Sequence, residues 1–280
     1  MGLTFYPLMK GYSLGQLQAV IDAFFALAFL SWYAKRERVS GILIGLICLM
    51  KPQYLLIVLW AFLRKRWTFG SAATAVVLLG TSISVAFFGV ANHLDYFRFL
   101  SFIGHFGEAY FPNQSFNGLL NRLLENGNNT YWTAAAYPPY RPVVFYGTLL
   151  TSAVIFGLAV PWRKRVTDYG GIFEFSLIAL AATMCSPIAW EHYYGILLPV
   201  FALLFGTYIS GKCADRAGFL LLVAAYVLIA NNLGILNLFS RPPGNIVQSY
   251  TLFGGLLLIV LLRRLDRDAS ARHGVAPDHA

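Results

Sequence analysis

A lysine, Lys51, lies between two apolar runs, residues 41–50 and 54–63, and is followed by Pro52 and Gln53. A lysine at membrane depth costs on the order of 2.5–3.5 kcal/mol on insertion scales, so a partner must compensate its charge. An anion is the natural partner, and a phosphate carried on a lipid can reach a lysine inside the bilayer. The tripeptide therefore predicts a lysine that binds an anion within the membrane.

Acidic residues with possible roles in proton transfer occur in two other segments. Gln18 and Asp22 share one face of a predicted helix, and a polar stripe of this kind faces protein or a water-filled cavity rather than lipid. Glu191 stands beside His192, an acid next to a base, which suits proton transfer or hydroxyl binding. The structural alternatives are hydrogen bonds to neighbouring helices for Asp22 and an ordinary solvated turn for Glu191.

The sequence contains no pattern for a cofactor. Three histidines, His93, His105 and His192, lack the HxH or HxxxH spacing of a metal site. No P-loop or dinucleotide fingerprint is present. We therefore expect neither a metal nor a nucleotide cofactor.

The element that must position Lys51 is a helical hairpin. Basic clusters at residues 35–38 and 64–66 flank it, and such clusters mark the cytoplasmic side. Each arm has ten residues, about half of the ~20 needed to cross a bilayer. Pro52 lacks an N–H and disfavours helix at the residue before it. These features predict a re-entrant hairpin over residues 40–63 with Lys51 at its tip; a straight, Pro-kinked spanning helix is the alternative.

The composition is that of a multi-pass membrane protein. The 280 residues are 58% hydrophobic and 12% charged, about half the charge of a soluble domain. Of the 21 Lys and Arg, fifteen fall in predicted inner segments and five in outer ones, with Lys51 between them. The net charge of +9 thus requires no nucleic-acid partner. We predict an all-α protein of the bacterial-type inner (plasma) membrane, with its site facing outward.

The predicted topology has seven crossings plus the hairpin, in one membrane domain over residues 1–264. The outer loop, residues 91–141, includes an amphipathic interfacial stretch, and residues 265–280 form a disordered cytoplasmic tail. The first crossing, residues 14–34, runs inward, which places an N-terminus without a signal peptide outside. We therefore expect upstream helices that are missing or supplied by another chain. The other crossings are residues 68–90, 142–160, 171–185, 195–210, 217–236 and 246–262.

Five motifs, in order along most of the chain, resemble those of glycosyltransferase family 87, also called DUF2029. They are Leu14-Gly15-Gln16, Gly41-Ile42-Leu43-Ile44-Gly45-Leu46 leading to Lys51-Pro52-Gln53, Arg64-Lys65-Arg66-Trp67, Asn113-Gln114-Ser115-Phe116-Asn117-Gly118, and Ser186-Pro187-Ile188-Ala189-Trp190-Glu191-His192.

The resemblance implies a GT-C type membrane glycosyltransferase. Such enzymes transfer a hexose, typically mannose, with inversion from a polyprenyl-phosphate sugar to a lipid or glycan acceptor on the outer face, without a cofactor. By analogy, Lys51 binds the donor phosphate. The substrate cavity would be lined by Gln16, Gln18, Gln53, Asn113, Gln114, Asn117, Trp190, Glu191 and His192.

One departure from the family concerns the general base. Family members have an additional first helix and a large outer loop that carries the acidic base, and this chain begins after that loop. Asp22 and Glu191 are weak candidates to replace it, and the catalytic residue stays unassigned. The alternatives are a transporter or flippase-like protein that binds lipid or sugar at the broken hairpin, and an inactive fragment or partner subunit.

Overall fold

A computed structural model describes residues 2–133, 137–160, 171–211 and 215–273. Within these ranges the chain consists of α-helices, short 3-10 turns and loops, and the one β-bridge joins Asn113 to Trp190. The prediction of an all-α protein is therefore confirmed. Residues 163–165, 212 and 274–280, which were assigned to inner segments, lie outside the described residues.

The α-helices are connected by short segments, and five 3-10 turns lie among them. In chain order the helices are α1 Tyr6–Ser13, α2 Gln18–Tyr33, α3 Glu37–Met50, α4 Leu55–Leu63, α5 Trp67–Phe106, α6 Phe116–Leu123, α7 Pro142–Ala159, α8 Ile172–Met184, α9 Leu198–Ile209, α10 Arg216–Ala230 and α11 Tyr250–His273.

Four helical segments in the described residues are long and apolar enough to cross a membrane. They are Trp67–Phe106, Pro142–Ala159, Glu191–Ile209 and Gly244–Asp268. Every predicted crossing contains a helix, but α2, α8 and α10 are shorter than this length criterion. The chain therefore fits an integral membrane protein, whereas the count of seven crossings stays a prediction.

The helix containing the first apolar run ends at Lys51. The residue is extended (φ −138°, ψ 99°), and a 3-10 turn at Pro52–Tyr54 leads into α4. Gly41 packs on Phe69, and further along the chain Leu49 packs on Gly80. Residue numbers therefore rise together along α3 and α5, so the two helices run side by side in the same direction. The intervening α4 must therefore run back. One unbroken helix is excluded here, and the depth of this helix pair in a bilayer stays a prediction.

Glycine allows α3 and α5 to approach closely. A Cβ atom on Gly41 would lie 2.4 Å from the carbonyl oxygen of Phe69, which is too close for any side chain. Small residues permit such backbone approach between membrane helices. The glycine therefore holds the arm that ends at Lys51 against the long helix.

The centre of the bundle is α8, whose residues are all buried. Trp32 stacks on Phe175 with ring centroids 5.1 Å apart, which fastens α2 to α8. At the end of α4, beside the basic cluster 64–66, Arg64 makes a two-bond salt bridge to Glu174, with distances of 2.9 and 2.7 Å. These contacts fix α2, α4 and α8 together, and with them the segment that carries Lys51.

The long helix α5 is broken at Gly89, where the backbone has φ +79°. This break lies at the end of the crossing predicted over residues 68–90. The following stretch, which includes the predicted interfacial segment, is largely exposed and ends at Gly107 with φ +64°.

Part of the stretch predicted as a disordered cytoplasmic tail, residues 265–280, is helical, and residues 274–280 lie outside the described residues. Helix α11 continues to His273, and Leu265 and Asp266 are buried. The helix persists because these side chains still have protein to pack against.

Candidate functional site

Lys51 is held by groups from two other parts of the chain. Its ammonium donates to the side-chain oxygen of Gln18 at 2.7 Å and lies 2.8 Å from the centre of the Tyr193 ring. The amide of Gln18 donates in turn to Asp22 at 2.7 Å. This network provides the compensation that a lysine in an apolar environment needs.

Asp22 is the buried acidic member of this network. Gln18 and Asp22 are both buried, as predicted for a stripe that faces protein. One oxygen of Asp22 accepts from Gln18, and the other has no hydrogen-bond partner among the described residues. A Cβ atom on Gly195 would lie 2.1 Å from that second oxygen. The packing favours a role for Asp22 in balancing the lysine charge.

Glu191 is buried, and both of its oxygens accept hydrogen bonds from tyrosines. Tyr250 donates to one oxygen at 2.5 Å, and Tyr6 donates to the other at 3.3 Å. The solvated-turn alternative is therefore wrong for this residue. With both oxygens bound, Glu191 ties the N-terminal helix α1 to α11.

Asn113, predicted to line the cavity, joins two outer segments. Its side-chain nitrogen donates to the carbonyls of Glu108 and Pro187 at 2.9 and 3.1 Å, and its oxygen accepts from the N–H of Ala189. The polar groups of its side chain are thus bound to backbone. The contacts favour a positioning role, in which Asn113 holds the segment before Trp190 against the outer loop.

The other two amides of this loop behave in the same way. The nitrogen of Gln114 donates to the carbonyls of Phe111 and Gln248, and its oxygen accepts from the backbone of α11. Asn117 accepts from the N–H of Glu108 at 3.1 Å and donates to Thr148. Both side chains are fully buried, so they pin the loop rather than line open space.

The remaining predicted glutamines differ in their surroundings. Gln16 is exposed in the turn before α2. Gln53 lies on the 3-10 turn next to Lys51, and its buried side-chain nitrogen has no hydrogen-bond partner in the described ranges. Of Gln16 and Gln53, it is therefore Gln53 that has an unused hydrogen-bond donor near Lys51 in the chain.

Sequence reasoning missed Glu108, which follows Gly107 at the end of α5. Its side chain is 7% exposed, and one oxygen accepts from the indole nitrogen of Trp190 at 2.5 Å. The Trp132 indole is a second hydrogen-bonding neighbour. Burial raises the pKa of the Glu108 carboxyl above its ordinary value, opposed by both indoles and by the charge of Arg122. The residue stands in no motif, so only its distant partners mark it.

Sequence reasoning also missed Arg122, whose side chain binds the backbone of the outer loop. It is buried and donates to the carbonyls of Ala109, Tyr110 and Asn113 and to the hydroxyl of Ser249. Burial lowers the pKa of its guanidinium to about 9, an effect that the charges of two carboxylates oppose. The guanidinium stays charged at neutral pH and holds the loop backbone that follows Glu108.

An aromatic row, formed by Trp132, Trp190, His192 and Tyr193, runs from the carboxylate to the lysine. Consecutive ring centroids are 6.2, 5.5 and 4.9 Å apart. Glu108 contacts Trp190 near one end, and Lys51 lies over Tyr193 at the other. Trp190 and Tyr193 are partly exposed, whereas His192 between them is buried.

A groove with a volume of about 380 Å³ lies between the broken helix pair and α5. Pro52, the neighbour of Lys51, is part of its lining. The groove is mostly apolar, and its polar groups belong to the end near the Gly89 break. Its lining residues are Cys48, Leu49, Pro52, Leu55, Val77, Thr81, Ser84, Phe88, Asn92, His93, Tyr96 and Phe97.

A family model for glycosyltransferase family 87 matches residues 1–187 of the 280. The chain belongs to glycosyltransferase family 87. The match includes Lys51, the outer loop and Glu108, and it ends before Trp190. Searches among curated proteins and among solved structures returned no match. Membership of family 87, together with the apolar helices, makes this chain a membrane glycosyltransferase.

Proposed function

We propose that this family 87 chain transfers a hexose, mannose as the first choice, from a polyprenyl-phosphate sugar to a lipid or glycan acceptor. The reaction takes place at the outer face of a bacterial-type inner membrane and inverts the anomeric centre. The chain forms a GT-C-like bundle with seven crossings and a re-entrant hairpin. The observation that carries this proposal is the position of Lys51 at the break between two short apolar helices.

The contacts of Lys51 fit a phosphate ligand. An ammonium has three donors, and within the described residues one of them is bound to Gln18. The ammonium also faces the Tyr193 ring, and we assign a remaining donor to a phosphate oxygen, since a charge-assisted hydrogen bond is stronger than a neutral one. The unused donor of Gln53 stands beside the lysine and is suited to the same group or to the sugar.

The groove beside Pro52 suits the lipid part of such a donor. It is mostly apolar, lies between α5 and the broken helix pair, and is lined by Pro52, the residue next to Lys51. A polyprenyl chain lying there would bring its phosphate to the lysine. A nucleotide sugar has no apolar chain and would gain nothing from this groove.

The test is a transfer assay on membranes that contain the full chain. Membranes are incubated with polyprenyl-phosphate [³H]mannose, and label is followed into new lipid and glycan products, whose anomeric configuration is read by NMR. We expect product with the configuration inverted relative to the donor. Donor binding without product, or movement of the donor across vesicles, would replace this function with that of a transporter or a partner subunit.

A further inference from the structure

We propose that a groove between α3 and α5 binds an anionic phospholipid, with the lipid phosphate at Arg38 and one acyl chain along the apolar part of the groove. The groove has a volume of about 670 Å³ and shares no lining residue with the groove beside Pro52. The site requires that the protein lies in a membrane and is independent of the transfer reaction. Its lining residues are Arg38, Ile42, Trp67, Thr68, Ser71, Ala72, Ala75, Val76 and Leu79.

The shape of this groove follows from the residues where α3 and α5 meet. A Cβ atom on Gly41 or on Gly45 would lie 2.4 or 2.8 Å from a backbone carbonyl oxygen of α5, so the two backbones approach closely. The lining residues of α5 repeat at spacings of one, three and four, which places them on one face of the helix. Ala72 and Ala75 on this face are too short to fill the space beside the contact, and a hollow remains.

The groove has a polar end and an apolar end. Because α3 and α5 run in the same direction, the beginning of one helix lies beside the beginning of the other. Arg38 is therefore at the same end as Thr68 and Ser71, whose hydroxyls can donate to phosphate oxygens. Trp67, a residue type enriched at membrane interfaces, also lines this end. Beyond Arg38 on α3 and Ser71 on α5, every lining side chain is apolar, so the groove matches a charged headgroup followed by a hydrocarbon chain.

Arg38 brings an unpaired positive charge to the polar end. Two arginines nearby have acidic partners, since Arg64 is bound to Glu174 and Arg66 to Glu37 at 3.1 Å. Arg38 is exposed and makes no ion pair or hydrogen bond within the part of the chain that the structure describes. The guanidinium group presents a fork of donors that matches the oxygens of a phosphate. An anionic headgroup therefore complements the charge of this end.

The length of the groove fits one leaflet of a bilayer. From Thr68 to Leu79 the helix rises about 16 Å at 1.5 Å per residue, close to half of the ~30 Å hydrocarbon core. Only 6% of the apolar stretch of α5 is buried within the described protein, so in a membrane the groove opens to lipid. A phospholipid in the leaflet beside the basic clusters, the predicted cytoplasmic one, would place its phosphate at Arg38 and its chain along Ala75 and Leu79.

The test measures how tightly the purified full chain, in a neutral detergent, binds fluorescent phosphatidylglycerol and phosphatidylcholine with identical acyl chains. We expect the wild type to bind the anionic lipid about 10-fold more tightly, the low end of the effect of a charge-assisted hydrogen bond. R38Q should bring the two affinities to within about twofold of each other. The matched control, R36Q, removes a neighbouring exposed arginine that does not line the groove and should keep the preference.

A second pair of variants tests the apolar part of the groove. A75L adds a bulky side chain to the lining, and it should weaken the binding of both lipids about 10-fold, the loss expected when roughly two methylenes of the chain are no longer buried. A86L makes the same change at an exposed position of α5 outside the groove. Its affinity for both lipids should equal that of the wild type.

Four results would overturn the assignment. Equal affinity of the wild type for the two lipids would show that the groove does not select an anion. Equal losses in R38Q and R36Q would mean that the basic cluster attracts the lipid by its charge alone. Displacement of labelled phosphatidylglycerol by polyprenyl-phosphate mannose would assign the groove to the sugar donor. If A75L binds lipid as the wild type does but turns a dimer into a monomer in light scattering, a second copy of the chain occupies the groove.

Discussion

The ammonium of Lys51 lies 2.8 Å from the centre of the Tyr193 ring, although 142 positions separate the two residues. The same ammonium is bound to Gln18. Lysine at the break of the helix pair is thus already oriented by an aromatic face and an amide. A ligand phosphate would meet a cation whose position has been set in advance, which lowers the entropic cost of binding.

Replacement of this lysine should weaken donor binding. In K51A the charge-assisted hydrogen bonds to the phosphate are lost, at about 1.5–3 kcal/mol for a charged group, which is on the order of 10–100-fold in affinity. The affinity is measured with fluorescent polyprenyl-phosphate mannose in nanodiscs. K65A, which removes an exposed lysine at the inner end of the same helix pair, should bind as wild type. An unchanged affinity in K51A would show that the phosphate binds elsewhere.

The backbone turn that presents Glu108 should tolerate no side chain at Gly107. In G107A the left-handed φ and the overlap with Asn117 should cost about 2–4 kcal/mol of folding free energy. Thermal unfolding in detergent measures the loss, and turnover should fall with it. G104A, three residues earlier in open space on the helix, should be neutral or more stable by up to ~1 kcal/mol. Equal melting of G107A and wild type would contradict the strain argument.

The inner end of the bundle should depend on the buried pair of Arg64 and Glu174. Removal of one partner in R64M leaves a buried, uncompensated carboxylate and should cost about 3–5 kcal/mol. The double variant R64M/E174L removes both charges and should recover most of this stability, as measured by unfolding in detergent. R98M breaks the exposed pair with Asp95 and should change stability by no more than about 1 kcal/mol. A double variant as unstable as R64M would mean that the charges themselves do not matter.

The pH dependence of stability should reflect the buried carboxyl of Glu108. Burial raises its pKa above the ordinary glutamate value. A raised pKa favours the folded state at low pH, and this gain is lost as pH rises through the raised pKa. In E108Q, which cannot titrate, the free energy of unfolding in detergent should fall less steeply with rising pH than in wild type. An unchanged pH dependence in E108Q would show that another group is responsible.

The sequence by itself determined the class of protein and the place of the helix break. A low charged fraction, clustered basic residues and Lys51 before Pro52 are local features, and hydropathy and proline geometry act locally on the chain. The helical spacing of Gln18 and Asp22 predicted that their common face points to protein. The five motifs indicated family 87, which the family match confirmed. They did not tell which of their polar residues face a ligand, because a motif records residue types and not the direction of a side chain.

Only the tertiary structure decided which polar groups are engaged in holding the protein together. The tyrosines that occupy Glu191 come from opposite ends of the chain, and the indole that binds Glu108 lies 82 positions away. Asn113, Gln114 and Asn117 pin backbone segments that are distant in sequence. Such partners meet only when the helices pack, because hydrogen-bond geometry and burial depend on distances that no local pattern contains.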